Sequence, residues 1–130
     1  MDYLKVVAAI IKKEDKILIA RRKKNKHLEF KWEYPGGKIQ SNENEIVALE
    51  RELKEEFNIK SSISKYVTES FYDYGKIKIN LRAYLVENFS GDFKLIDHDK
   101  IEWIKIDDIK RYDFAPADKE INDFLIKNGI

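Results

Sequence analysis

The stretch from Gly37 to Ile59 constrains this chain more than any other, because it runs from a pair of glycines into a helix crowded with carboxylates. Glu52, Glu55 and Glu56 fall close together, and residues three and four apart lie on one face of a helix. Like charges at this spacing repel by roughly 0.2–0.5 kcal/mol per pair, and acids near the end of a helix gain nothing from its dipole. The pattern predicts either a solvated charged face or a site for a cation.

The type of ligand narrows the choice of cation. Carboxylate oxygens without His or Cys suit hard ions, so we expect Mg²⁺, with Mn²⁺ as a substitute, over zinc. Mg²⁺ is often held by a few carboxylates together with the phosphates of a substrate. The chain has no cysteine, which excludes disulfides, thiol chemistry and a Cys-based zinc site.

The spacing of these residues resembles the Nudix box, which we place at residues 37–59. The matching positions are Gly37, Glu43, Arg51, Glu52, Leu53, Glu55, Glu56 and Ile59. Asn58 departs from the pattern, because the family usually has glycine there. Asparagine tolerates the left-handed conformation that ends a helix, so the helix can still stop at this residue. By this resemblance the chain is identified as a Nudix hydrolase of the MutT-type or CTP pyrophosphohydrolase-like subgroup.

The resemblance implies an α/β fold in which a mixed β-sheet is sandwiched between helices (α/β/α), with residues 1–130 forming a single domain. Apolar runs and alternating patterns predict strands at 3–11, 17–20, 64–74, 76–87 and 101–104. A capping box of Asn42 and Glu45 predicts that the acidic helix begins near Asn42. Its buried face is predicted to carry Ile46, Leu49, Leu53 and Phe57. A second amphipathic helix is predicted near the end of the chain.

Composition bounds the class of partner. The chain has 130 residues and a formal net charge of +1, which gives no electrostatic case for a nucleic-acid polymer or a membrane surface. The N-terminal apolar run at residues 6–11 is too short for a secretory signal or a membrane span. We therefore expect a cytoplasmic protein that acts on a small molecule. Nothing in the sequence indicates an oligomeric state.

The resemblance also implies roles for the acids. The metal ligands are predicted to be the Gly36 carbonyl and the side chains of Glu52, Glu55, Glu56 and Asp97. Asp97 and His98 stand where subgroup members carry a Glu-His pair, and an ordinary surface loop is the alternative.

The predicted catalytic residues are Glu52, Glu55 and Arg51. Glu52 is the expected acceptor of a proton from the attacking water, with Asp97 and Glu55 as the alternatives. Arg51 is expected to pair with Glu43 and with helix carboxylates, and so to orient them.

The substrate-binding residues are predicted to be Arg22, Tyr34, Lys38 and Asp118. The segment at 32–38 resembles the W-E-F-P-G-G-K segment of MutT-type enzymes, and its two glycines allow close backbone approach to a ligand. Arg22 is expected to reach phosphate or base, and Tyr34 to contact the base, with core packing as the alternative. Asp118 resembles a residue that hydrogen-bonds the base, with N-capping of the last helix as the alternative.

The activity implied by the resemblance is hydrolysis of a nucleoside triphosphate to a monophosphate and pyrophosphate, in sanitation of the nucleotide pool. An ionised Asp118 only accepts hydrogen bonds, which favours a guanine such as 8-oxoguanine, whereas the A-P-A-D segment resembles that of enzymes acting on CTP and modified dCTP. The alternatives are hydrolysis of ADP-ribose or a dinucleoside polyphosphate, and a non-catalytic nucleotide sensor. The absence of proline between Pro35 and Pro116 disfavours the ADP-ribose branch.

Overall fold

The computed structural model describes residues 2–130, which form seven β-strands, two α-helices and one 3₁₀ helix. The strands are β1 (Leu4–Lys13), β2 (Lys16–Arg22), β3 (Trp32–Glu33), β4 (Gly36–Lys38), β5 (Lys60–Asp73), β6 (Lys78–Ser90) and β7 (His98–Lys105). The helices are α1 (Glu45–Phe57) and α2 (Pro116–Asn128), and the 3₁₀ helix spans Ile106–Arg111. Within residues 2–130, no helix combines the length and the apolar character that crossing a membrane requires.

Strand β1 is the centre of a mixed sheet. It pairs in parallel with β6 and antiparallel with β4, while β5 pairs antiparallel with β6 at the edge. The predicted hairpin of β1 and β2 exists only beside its turn, where Lys12 faces Ile17 and Lys13 faces Lys16. Strand β2 then diverges to pair with β7 and β3. The divergence opens the sheet beside β4, which is where the glycine pair lies.

Both faces of β1 are buried, which explains why its sequence is a nearly continuous apolar run. Val7, Ala9 and Ile11 pack in the core that contains α1. Ala8 and Ile10 point the other way, into the core that contains α2. The predicted α/β/α arrangement is confirmed, with one helix on each side of the sheet.

The start of α1 differs from the prediction. The helix begins at Glu45, and its N-cap is Asn44, whose side chain accepts a hydrogen bond from the Val47 backbone N–H at 2.9 Å. Asn42 lies in the preceding turn with φ of 66°. Because the helix begins later than expected, Ile46 falls in its first turn and is 45% exposed. The buried face consists of Ala48, Leu49, Leu53 and Phe57.

The end of α1 agrees with the prediction. Asn58 is the C-cap at φ 60° and ψ 30°, in the left-handed conformation, and its backbone N–H reaches the carbonyls of Leu53 and Lys54. Asparagine therefore performs the helix-ending role that glycine performs elsewhere. Strand β5 begins two residues later, earlier than predicted.

Candidate active site

Arg51 gathers the carboxylates at the start and the middle of the Nudix-like stretch. Its Nε and Nη2 atoms bind the two oxygens of Glu43 at 2.7 and 2.8 Å. Its Nη1 lies 2.8 Å from Glu52 Oε1 and 3.0 Å from Glu55 Oε1. The expected pairing of Arg51 with these acids is therefore present. Arg51 therefore offsets part of the repulsion between Glu52 and Glu55 from within the helix itself.

The Arg51 guanidinium, whose contacts with these acids we call the Arg51 fork, also connects the helix to β4. Its Nη2 donates to the Lys38 carbonyl at 3.0 Å. The hydrogen bonds from Arg51, followed by one from the Gln40 backbone N–H, lower the pKa of Glu43 from 4.5 to about 2. Bidentate geometry of this kind fixes orientation as well as charge. Arg51 is thus a clamp between the glycine strand and the acidic helix.

Glu52 lies directly over the glycine pair. A Cβ atom placed on Gly37 would overlap the Glu52 carboxylate, and one on Gly36 would overlap the Val7 carbonyl of β1. The missing side chains therefore allow both the β1–β4 pairing and the approach of Glu52. Burial, the largest cause, raises the pKa of Glu52 above 4.5 despite the opposing hydrogen bond from Arg51.

Glu56 and Asp97 form a second acidic group. Burial, followed by a hydrogen bond that the protonated Glu56 donates to Asp97 and by charge repulsion from Asp97, raises the pKa of Glu56 from 4.5 to about 7. The pKa of Asp97 is lowered, first by Lys26, whose Nζ lies 2.9 Å from Asp97 Oδ1. Glu56 Oε2 is buried and finds no hydrogen-bond donor among the described residues. Two adjacent acids and a buried oxygen without a donor fit a hard cation.

The described residues contain no group of three His, Cys, Asp or Glu side chains that already converge on one metal position. The reason is visible in the contacts: Arg51 holds Glu52 and Glu55, while Glu56 lies beside Asp97. Gly36, Glu52, Glu56 and Asp97 line one common cavity. Their donor chemistry fits Mg²⁺ or Mn²⁺.

Two adjoining cavities meet at the glycine strand. The first, which we call the phosphate-side cavity, has a volume of about 480 Å³ and is lined by Glu52, Glu56, Asp97 and His98. The second, the base-side cavity, has a volume of about 220 Å³ and is lined by Tyr34, Tyr74, Leu81 and Asp118. Four residues border both cavities: Arg22, Gly36, Gly37 and Lys38. Most of the predicted site residues are thereby brought together, but Glu55 and Arg51 are not among the lining residues of either cavity.

Asp118 is buried at the base-side cavity, with 4% of its surface exposed. Its Oδ1 accepts a hydrogen bond from the Tyr34 backbone N–H at 3.2 Å. Burial, and then the nearby charge of Glu33, raise the pKa of Asp118 well above 3.8. The alternative role of N-cap is not observed, because Ala115 is the N-cap of α2 and no side chain caps it.

Tyr34 packs in the core, which was one of the two roles left open by the sequence, and it also borders the base-side cavity. Its ring packs against Phe114, with centroids 5.4 Å apart, and its hydroxyl donates to Asn122 Oδ1 at 2.6 Å. The same residue lines the base-side cavity. It is therefore a core residue with one face at the cavity.

Arg22 and His98 were expected near the site from the sequence, but Glu33, which joins them, was given no role. The Nε2 atom of the buried His98 lies 2.7 Å from Glu33 Oε2, and Arg22 Nη1 lies 3.4 Å from the same oxygen. His98 also stacks on Phe57, with centroids 5.0 Å apart. Glu33 is the glutamate of the segment that resembles W-E-F-P-G-G-K, so the sequence did contain a motif that marks this residue.

His27 and Tyr74, whose rings lie 5.8 Å apart, also line the base-side cavity. Their positions depend on a loop and on the β5–β6 hairpin. No local pattern in the sequence indicates that these two rings meet.

Comparison with known proteins agrees with this geometry. Residues 6–123 match the sequence model of the NUDIX domain. The CTP pyrophosphohydrolase of Escherichia coli is 35% identical over 118 residues, covering 91% of this chain and 87% of that protein. An 8-oxo-dGTP diphosphatase of Buchnera aphidicola is 35% identical over 121 residues, covering 93% of this chain and 92% of that protein.

A solved structure shows the same fold over almost the whole chain. The solution structure of the Escherichia coli ORF135 protein has a TM-score of 0.87 and 32% sequence identity, and the alignment covers 98% of this chain and 91% of that one. The match of the domain model, the identity to the relatives and the shared fold lead to one conclusion. This chain belongs to the Nudix family of hydrolases.

Proposed function

We propose that this chain is a MutT-type hydrolase that converts a nucleoside triphosphate and water to a nucleoside monophosphate and pyrophosphate. Its substrates are 8-oxo-dGTP, or CTP and modified dCTP, which makes it a sanitiser of the nucleotide pool. The names of its relatives support this choice, since they include a CTP pyrophosphohydrolase and 8-oxo-dGTP diphosphatases. We further propose that residues 1–130 form one catalytic domain.

The observation that carries the proposal is the pair of adjoining cavities. One is lined by half-buried carboxylates and the other by aromatic and aliphatic side chains with the buried Asp118. A nucleotide has the same division, with charged phosphates at one end and a flat, largely apolar base at the other. Arg22 and Lys38 border both cavities, so their positive charges lie where the phosphate chain would join the nucleoside.

In the proposed mechanism, Glu52, Glu55, Glu56, Asp97 and the Gly36 carbonyl would hold Mg²⁺. The bound ion would offset the charge that builds up on the phosphates during in-line displacement. Glu52 takes the proton from the attacking water, a task that suits a carboxylate whose pKa is raised by burial. Arg51 keeps that carboxylate in place through its contact at 2.8 Å.

The burial of Asp118 affects which base this residue can bind, because it favours the neutral acid. An ionised carboxylate favours guanine, because guanine offers two donors side by side. Burial instead favours the neutral acid, which offers one donor and one acceptor. That pair complements cytosine, which presents N4–H and N3, and it complements 8-oxoguanine, which presents N7–H and O6. At the N7 and O6 edge ordinary guanine has only acceptors, so an enzyme that binds 8-oxoguanine through N7–H and O6 should turn over dGTP poorly.

The test is pyrophosphate release from a panel of 8-oxo-dGTP, dGTP, CTP, dCTP and 5-methyl-dCTP, each assayed with Mg²⁺ and with a chelator. We expect turnover of 8-oxo-dGTP or of the cytosine nucleotides, little turnover of dGTP, and none with the chelator. A chain that binds these nucleotides but releases no pyrophosphate from any of them would be a sensor, and the proposal would be wrong.

A further inference from the structure

The loop between β2 and β3, residues 23–31, is attached to Asp97 by two contacts. The Lys26 ammonium lies 2.9 Å from Asp97 Oδ1. The Lys23 backbone N–H donates to the Asp97 carbonyl at 3.1 Å. The loop is therefore docked on the segment that carries an acid of the phosphate-side cavity.

The same loop borders the base-side cavity. His27 and Leu28 line that cavity directly after Lys26 in the chain. Asp97 lines the phosphate-side cavity, and Lys26, which lines neither cavity, contacts this acid from the loop. Its long, flexible stem and three donors allow the ammonium to change partners without movement of the backbone.

Each acidic group has a basic partner, but Arg51 at Glu52 is held much more firmly than Lys26 at Asp97. Arg51 binds Glu52 with 19% of its side chain exposed, in a fork of several short contacts. The Lys26 side chain is 39% exposed, and a single contact joins it to Asp97. A cation bound between Glu56 and Asp97 would take over the role of Lys26 but not that of Arg51. The ammonium would then face a phosphate chain that keeps excess negative charge.

Building on the proposed function, we propose that Lys26 is a phosphate-binding residue that Asp97 holds in reserve until a divalent cation engages that carboxylate. Lys26 then pairs with the outer phosphates of the bound triphosphate, beyond the reach of Arg22 at the junction of the cavities. Metal binding and triphosphate binding are thereby coupled through one side chain. The simpler alternative is a surface ion pair that only fastens the loop.

The two readings differ in a measurement that needs no turnover. Mn²⁺ is titrated into the protein without nucleotide, and free Mn²⁺ is followed by electron paramagnetic resonance. Because an exposed ion pair is weak, its loss should ease metal binding only modestly, and we expect Lys26→Gln to bind Mn²⁺ up to about fivefold more tightly than the wild type. The control is Lys31→Gln, which removes the same charge from the same loop. In the wild type the Lys31 ammonium pairs with Asp113 at 2.7 Å and not with Asp97. That variant should bind Mn²⁺ as the wild type does.

The second measurement separates the outer phosphates from the rest of the substrate. The substrate is CTP or 8-oxo-dGTP, according to which of them the wild type turns over. We expect Lys26→Gln to raise the KM for this substrate at least about fivefold, because the variant loses a charge-assisted contact to the phosphates. The inhibition constant of the matching monophosphate should not change. Tighter Mn²⁺ binding without a higher KM, or a higher KM without tighter Mn²⁺ binding, would overturn the proposal, as would wild-type values for both.

These results are distinguishable from a failure of the proposed function itself. If Glu56→Gln does not weaken Mn²⁺ binding, or if the wild type hydrolyses none of the nucleotides, the metal site or the activity is wrong. The wild type can bind Mn²⁺ at Glu56 and be active while Lys26→Gln has the same Mn²⁺ affinity and the same KM. In that case only the role of Lys26 is wrong.

Discussion

The Glu52 carboxylate fills the space that a side chain on Gly37 would occupy. This contact joins the two halves of the Nudix box, because Gly37 belongs to β4 and Glu52 to α1. The carboxylate is held from the other side by Arg51 at 2.8 Å. The position proposed for the proton acceptor is therefore set by a missing side chain and a guanidinium together.

We predict that Gly37→Ala lowers kcat by at least about 10², because the added methyl group displaces Glu52 from its place over β4. The neighbouring atoms are the end of a flexible side chain, so the fold should survive with a small loss of stability. Activity with Mg²⁺ and the melting temperature are measured on the same preparation. An alanine variant with wild-type kcat would show that the position of Glu52 is not required.

Gly36→Ala is the informative comparison. At this position the nearest atoms to the added methyl group belong to the backbone of Val7 and Ala8, which cannot rotate away. We expect a large fall in melting temperature, because the β1–β4 pairing has to separate. If the two variants lose stability equally, the distinction between side-chain and backbone contact at the glycine pair is wrong.

We predict that Glu52→Gln lowers turnover by at least ~10² while the fold is kept, because the amide cannot accept the proton of the attacking water. Glu50→Gln, on the same helix but lining neither cavity, serves as the matched control and should be as active as the wild type. Circular dichroism and pyrophosphate release measure the two properties. Near wild-type rates for Glu52→Gln would refute the assignment.

The sequence predicted the parts of the fold that depend on local pattern. Strand β1 is buried on both faces, and its unbroken apolar run indicates this directly. The turn at the end of α1 needs a residue that tolerates the left-handed conformation, and Asn58 is such a residue. Together with the spacing of the acids, these signals were enough to identify the family.

The remainder depends on contacts between distant segments. Asn42 and Asn44 are equally good caps by residue type, and the turn at Asn42, with φ of 66°, decides between them. The meeting of His98 with Glu33 joins residues 65 positions apart. Likewise, the burial of Asp118 follows from the packing of α2 on the sheet, so its protonation could not be inferred from the residue alone.

Glu43 should contribute to stability in a pH-dependent way. Its pKa is lowered from 4.5 to about 2 in the folded protein, first by the hydrogen bonds from Arg51. A lowered pKa means that the stabilisation is fully present above pH 4.5 and is lost as the pH falls towards 2. We therefore expect the wild type to exceed Glu43→Gln in melting temperature at pH 6, and the difference to shrink steadily between pH 4.5 and pH 3.

A difference between these two proteins that stays constant down to pH 3 would contradict the depressed pKa of Glu43. Glu50→Gln again supplies the control. It removes a carboxylate from α1 without touching the Arg51 fork, so its melting temperature should follow that of the wild type across the same range.

Asp118 provides the last prediction, because its protonation decides which base fits. If the neutral acid is the binding form, Asp118→Asn keeps one donor and one acceptor, and kcat/KM for 8-oxo-dGTP or CTP should remain within about tenfold of the wild type. Asp118→Ala leaves the buried Tyr34 N–H without its acceptor and removes the contacts to the base. We expect it to lower kcat/KM at least about tenfold. Competition between 8-oxo-dGTP and dGTP measures the same property directly. Should dGTP prove the better substrate and Asp118→Asn prove inactive, the ionised carboxylate would be the form that binds, and the base would be read by its two donors.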